Sequence, residues 1–143
     1  LIQLDVDLKT KEDVIEHVAS MMDQAGKLND VRQYILDVKD REAQISTNLG
    51  DGIGMPHARS KAVDEAGLVF LRLKQDIEWG GDYAGVKIVF GIAAPDSGGD
   101  LHLRILSHLA RKLIYDEFKQ KLFNASTSEE VLSLLEEATG GLA

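Results

Sequence analysis

Two short runs rich in valine, isoleucine and phenylalanine, at 68–73 and 86–94, sit in the middle of a 143-residue chain whose other long apolar patterns have helical spacing. Bounded by Gly, Pro and Asp, such runs read as buried or half-buried strands. Ahead of them, Val14, Ile15, Val18, Ala19 and Met22 predict an amphipathic helix over 10–25, with Thr10 and Asp13 suited to its start and Gly26 to its stop. A second helical pattern opens at Asn29 or Asp30 and runs through Val31, Ile35, Leu36 and Val38 to Arg41 and Glu42. Ser46, Thr47 and Asn48 then read as a loop. The region 77–85, with Trp79 and two glycines, reads as turns with room for one edge strand, and 95–100 as a turn-forming loop. Beyond it, Ile105, Leu106, Leu109 and Leu113 predict a helix over 101–114, with Asp100 as a candidate N-cap. Further helices are expected over 116–123 and 127–137. A Thr127/Glu130 capping box opens the latter and Gly140-Gly141 closes it. Strands gathered in the middle, with helices before and after, predict an α/β fold: a mixed β-sheet sandwiched between helices on both faces, in a single domain over 1–143.

A chain of this length buries enough surface to dispense with disulfides or a structural metal. It has no cysteine, which excludes a disulfide scaffold, a zinc ribbon, an iron–sulfur site and a thiol nucleophile. The net charge of -8 repels phosphate backbones and anionic lipid, so neither nucleic acid nor a membrane surface is an expected partner. The longest apolar stretch, 88–94, is far short of the ~20 residues of a membrane helix. With neither a basic leader nor an apolar signal core at the N-terminus, the expected location is cytoplasmic.

Four histidines carry different expectations. His17 sits at the edge of the first helix's apolar stripe and reads as structural. His108, with Arg104, Arg111 and Lys112, reads as a solvated surface residue. His102 lies in line with Ile105, Leu106, Leu109 and Leu113, so a titratable group faces inward at a helix start. Two readings stand there: a buried histidine tied to a loop carbonyl, or an orienting group beside an anion held at the helix N-terminus. His57 follows Pro56 and a run containing Gly50, Gly52 and Gly54, which reads as a short strand ending in a tight loop at His57. That loop is either a plain strand end or a place where backbone amides approach a ligand. The spacing matches neither a P-loop nor a dinucleotide fingerprint, and no zinc helix or nucleophile elbow is present. Asp96, Asp100 and Glu42 are the carboxylates available to be brought near these histidines by folding, and a His57/His102/Asp100 metal site has no motif behind it.

Taken together, Arg41-Glu42, Ser46-Thr47-x-Leu49-Gly50-x-Gly52-Ile53-Gly54-Met55-Pro56-His57, and His102-Leu103 ahead of Leu106 and Leu109 resemble the enzyme IIA proteins of the fructose/mannitol class. These belong to the bacterial phosphoenolpyruvate:sugar phosphotransferase system, and the resemblance covers nearly the whole chain. It implies that His57 accepts a phosphoryl group from the phosphocarrier HPr and passes it to a cysteine of an enzyme IIB. It also implies that His102 orients and stabilises the transferring group, that Arg41 stabilises its charge, and that no metal or cofactor takes part. Because this chain lacks cysteine, the acceptor thiol is expected on another chain. Two positions depart from the family pattern: Gly54 stands for the usual alanine, and Ala58 for the usual glycine. Alanine at 58 would be strained if the loop required a positive φ there. Arg59 is a further basic residue, suited to screening phosphate or to a solvated loop.

The same residues suit a regulatory module whose histidine phosphorylation controls a binding partner. A metal-dependent hydrolase built on His57 and His102 is a third reading.

Overall fold

The computed structural model describes residues 1–44, 46–81, 84–96 and 101–140, and within these all side chains except those of 101–103. Its described elements run β1 (Ile2–Val6), α1 (Lys11–Gln24), α2 (Val31–Gln44), β2 (Asn48–Gly50), β3 (Ile53–Gly54), β4 (His57–Ser60), β5 (Gly67–Ile77), β6 (Val86–Pro95), α3 (Leu101–Leu113), α4 (Asp116–Asn124) and α5 (Ser128–Thr139). The helix starts follow the expected chemistry. Thr10 Oγ1 accepts the Asp13 N–H at 3.1 Å, Asp30 Oδ1 that of Gln33 at 3.1 Å, and Thr127 Oγ1 that of Glu130 at 3.2 Å. At the far end of α1, Gly26 N–H and Lys27 N–H turn back onto the carbonyls of Asp23 and Met22, which closes the helix at the predicted glycine. Asp100 and Gly141 lie outside the described residues.

The strands form one mixed sheet in the order β1-β5-β6-β3-β2. β5 and β6 pair antiparallel at its centre, β1 runs parallel to β5, and β3 runs parallel to β6. β4 also runs parallel to β6, in the register His57↔Ile92 through Ser60↔Pro95. Thus β3 and β4 form one interrupted line beside β6, broken at Met55-Pro56. The sheet is richer than the two or three strands expected: β1, and β2 within the expected loop at 46–48, were not foreseen, and β5 continues to Ile77.

Alternation along β5 and β6 sorts the core into two layers. Val69, Leu71, Leu73, Val89 and Ala93 pack with α1 and α2, through residues such as Val14, Val18, Tyr34 and Val38. Phe70, Ile88, Phe90 and Ile92 pack on the opposite face with Ile105, Leu109, Leu122, Val131 and Leu135 of α3, α4 and α5. Helices therefore cover both faces, as predicted. No described helix is long and apolar enough to cross a membrane.

Tyr34 reaches through the first layer to donate its hydroxyl to the Ile92 carbonyl at 2.8 Å, and its burial holds the phenol well above the usual tyrosine range. Because Ile92 is the residue in register with His57, this bond ties α2 to the sheet at the candidate site. Tyr34→Phe should therefore lower stability by about 1 kcal/mol, measured as the urea midpoint followed by Trp79 fluorescence.

Candidate active site

The turn leading to His57 is built from three successive residues with positive φ: Gly50 at 88°, Asp51 at 56° and Gly52 at 81°. Two glycines take this path without a Cβ penalty. Asp51 is held there by Lys119 Nζ at 2.7 Å, which also contacts Asp116 at 3.2 Å. At Gly54 the constraint is space, since a Cβ would meet Trp79 and Val86 at 3.2 Å. An alanine there would need the indole or Val86 to give way by a few tenths of an ångström.

His57 opens β4, so it stands at the start of a strand and not on a loop. Pairing with β6 imposes this placement. Ala58 is buried in that strand and is absent from the residues with positive φ, so the anticipated strain does not arise. His57 Nδ1 lies 2.8 Å from the Met55 carbonyl. A carbonyl only accepts, so Nδ1 carries the proton and, in the neutral ring, Nε2 holds the free lone pair.

His57 lines a cleft of about 790 Å³ at the sheet edge. One wall is a stripe of α2, comprising Gln33, Asp37, Asp40, Arg41 and Gln44, and the other is β4 with Arg59 and Lys61. Asp96 and Leu106 complete it. Arg41 is half-buried in the helical wall, which brings it into the same cleft as His57. Arg59 Nη2 donates to the Asp96 carbonyl at 3.2 Å. Asp37 and Ser60 fasten the two walls together: Ser60 Oγ donates to Asp37 Oδ2, and Gln33 Nε2 donates to Asp37 Oδ1 at 2.9 Å. No local spacing in the sequence couples Ser60 to Asp37.

The other candidates divide. His102 is the second residue of α3, one turn before Leu106, and its side chain lies outside the described residues. Glu42 is not a cleft carboxylate, since Lys11 and Thr47 bind it on the other side of α2. His17 bonds Gln3 Oε1 at 2.6 Å, away from the cleft, in keeping with a structural role. His108 is half-buried, more enclosed than a solvated histidine, while Arg104 and Arg111 beside it are exposed. Among the described residues no group of three or more His, Asp or Glu side chains is arranged to hold a metal.

An imidazole with a fixed tautomer beside arginines in an open cleft suits anion transfer to nitrogen, and similarity to known proteins makes the assignment specific. Residues 1–138 match the family described as phosphoenolpyruvate-dependent sugar phosphotransferase system, EIIA 2. The chain belongs to this family. As an EIIA type-2 unit it is a phosphoryl-carrying component of a phosphotransferase system. It is 36% identical over 139 residues to the fructose-specific EIIA component of Haloferax volcanii, covering 96% of this chain and 90% of that one. It is 33% identical over 135 residues to the fructose-specific EIIABC component of Bacillus subtilis, covering 94% of this chain but only 21% of that protein. Among solved structures, the nitrogen regulatory protein IIA-Ntr of Neisseria meningitidis superposes with a TM-score of 0.85 at 27% identity, covering 94% and 92% of the two chains. The Escherichia coli mannitol enzyme IIA, solved in complex with phosphorylated enzyme IIB, gives 0.77 at 25% identity, covering 96% and 99%.

Proposed function

We propose that this EIIA unit carries its phosphoryl group on Nε2 of His57, taking it from phospho-HPr and passing it to a cysteine of a separate enzyme IIB, in support of sugar uptake from the cytoplasmic side. The observation that carries this reading is the Nδ1 contact with the Met55 carbonyl, which leaves Nε2 as the nucleophilic nitrogen of a histidine lining the cleft. In acceptance, the P–N bond of the donor's phosphohistidine breaks as a P–N bond forms at Nε2, and Nδ1 keeps its proton, donated to the Met55 carbonyl. In delivery, the P–N bond at His57 breaks as a P–S bond forms on the acceptor thiolate.

The transition state of such a transfer spreads charge over three equatorial oxygens, so fixed donors aimed at them supply most of the catalysis. Arg41 is the cleft residue assigned to that task. His102, one turn before Leu106, is assigned to orient the group. The acidic balance of the chain suits a basic donor face, which speeds encounter more than it deepens affinity. The enzyme IIB acceptor is supported by the Escherichia coli complex. The fructose-specific names of relatives at 33% and 36% identity favour transport over the regulatory role named for IIA-Ntr, which is 27% identical.

The test is intact-mass measurement after incubation with phosphoenolpyruvate, enzyme I and HPr. One acid-labile phosphoryl group is expected on the parent, and no added mass would overturn the reading. Arg41→Ala should accept the group about 10² to 10³ times more slowly, as removal of one transition-state donor does. A rate near the parent's would take Arg41 out of the mechanism.

A further inference from the structure

Glu42 follows Arg41 on α2, yet its side chain is only 5% exposed and does not line the cleft. Lys11 Nζ donates to its Oε2 at 2.7 Å, and the Thr47 N–H donates to the same oxygen at 3.2 Å. The Thr47 hydroxyl donates to Oε1 and accepts Trp79 Nε1–H at 3.3 Å. Lys11 Nζ also stands 5.1 Å over the Trp79 ring. A carboxylate and an indole thus converge on one threonine, and the Lys11 ammonium touches both.

Thr47 faces the active site through its backbone. Its carbonyl accepts the Met55 N–H at 3.1 Å, and the Met55 carbonyl accepts His57 Nδ1–H at 2.8 Å. Met55 is therefore held at both ends, between Thr47 and the imidazole. It lies in the break between β3 and β4, where the next residue, Pro56, offers no N–H for pairing. Thr47 holds the one backbone donor that the break retains.

We propose that Glu42 and Thr47 are positioning residues for His57. Resting on the reading of His57 as the phosphoryl acceptor, the inference adds how that residue is prepared. The buried Glu42 carboxylate fixes Thr47, Thr47 fixes Met55, and the Met55 carbonyl selects the ring tautomer with the proton on Nδ1 and the lone pair on Nε2. A solvated imidazole prefers the other tautomer, with its proton on Nε2, so the clamp reverses a solution preference in favour of the reactive form. The links are geometric, and no proton moves along them.

Thr47→Val tests this, because it keeps the shape while removing the hydroxyl that Glu42 and Trp79 share. Glu42→Ala removes the anchor, and Thr47→Ser keeps the hydroxyl. The readouts are the His57 tautomer, from long-range ¹H–¹⁵N spectra of the unphosphorylated neutral ring, and the rate of acceptance from phospho-HPr. The parent and Thr47→Ser should show predominantly the Nδ1–H form. Thr47→Val and Glu42→Ala should show a mixture and accept phosphoryl groups about tenfold more slowly, a smaller loss than the ~10²-fold that a 1 Å misplacement of a reacting group produces. The far-ultraviolet circular dichroism of each variant reports that it is folded. A folded Thr47→Val with the parental tautomer and a rate within about twofold would overturn the proposal. Should Glu42→Ala fail to fold, Thr47→Val alone decides. A tautomer shift in a protein that accepts no phosphoryl group would support the clamp and overturn only the carrier role of His57.

Discussion

Replacing His57 by glutamine is expected to abolish phosphoryl acceptance while leaving the fold intact. A glutamine side chain is of similar size, and the one bond it gives up, from Nδ1 to the Met55 carbonyl, is worth about 1 kcal/mol. It has no nitrogen lone pair able to attack phosphorus, so the loss is of chemistry and not of shape. His57 is half-buried at the sheet edge and makes one side-chain hydrogen bond among those described, so the urea midpoint should stay close to the parent's. Intact mass after incubation with phosphoenolpyruvate, enzyme I and HPr should show no added group. An acid-labile group persisting on His57→Gln would move the acceptor to another histidine. His17, bonded to Gln3 away from the cleft, is a poor substitute. His102 on α3 would then be the residue to replace next.

Much of this was readable because the deciding interactions are local. The Thr10 and Thr127 caps, the stop at Gly26 and the apolar stripe of α1 each rest on residues within a turn or two of one another, and all stand where spacing places them. β1 was also legible in principle: Ile2, Leu4 and Val6 alternate with Gln3 and Asp5, half-buried against exposed, but five residues in isolation are a weak signal. β2 had no such signal, while β3 falls within the glycine-rich run that reads as a short strand. They are three and two residues long and glycine-rich, and they exist because the distant strand β6 offers pairing to Ile53 and Gly54. At the site, the motif pointed to His57 and Arg41, which folding brings into one cleft. It left the place of Glu42 open, because its partner Lys11 is far away in sequence, and it had no means of finding the Asp37–Ser60 fastening. Side-chain partners that meet only in the folded state leave little trace in local spacing.

Arg72 is the strongest instance of such a partner, and its removal should be the most destabilising single change considered. It sits on β5, which β6 separates from β4, among the residues that face α4. Its side chain is 8% exposed, and its Nη1 donates to the carbonyls of Leu122 at 3.2 Å, Phe123 at 3.2 Å and Ala125 at 2.6 Å. These belong to the last turn of α4 and the residue beyond it, where helical carbonyls lack partners within the helix. The guanidinium therefore acts as the C-terminal cap of α4, supplied from the sheet, with its positive charge at the negative end of the helix dipole. Arg72 also pairs with Asp5, at 3.2 Å from Nε, and Asp5 adopts a φ of 56° in the irregular stretch of β1. The two roles separate experimentally. The Asp5 carboxylate is 62% exposed, so Asp5→Asn should cost less than about 1 kcal/mol, as exposed ion pairs do. Arg72→Met keeps most of the aliphatic stem but strips donors from three carbonyls, at about 1–3 kcal/mol for each group left unsatisfied. With water reaching part of the site, the expected loss is about 2–4 kcal/mol, a large share of the ~5–15 kcal/mol that holds a domain of this kind folded. Calorimetry should show a Tm lower by on the order of 10 °C. Phosphoryl acceptance by the folded fraction at low temperature should be unchanged, because among the described residues no bond of Arg72 reaches the cleft. A comparable loss from Asp5→Asn would instead place the energy in the ion pair, and a small loss from Arg72→Met would show that water satisfies the end of α4 unaided.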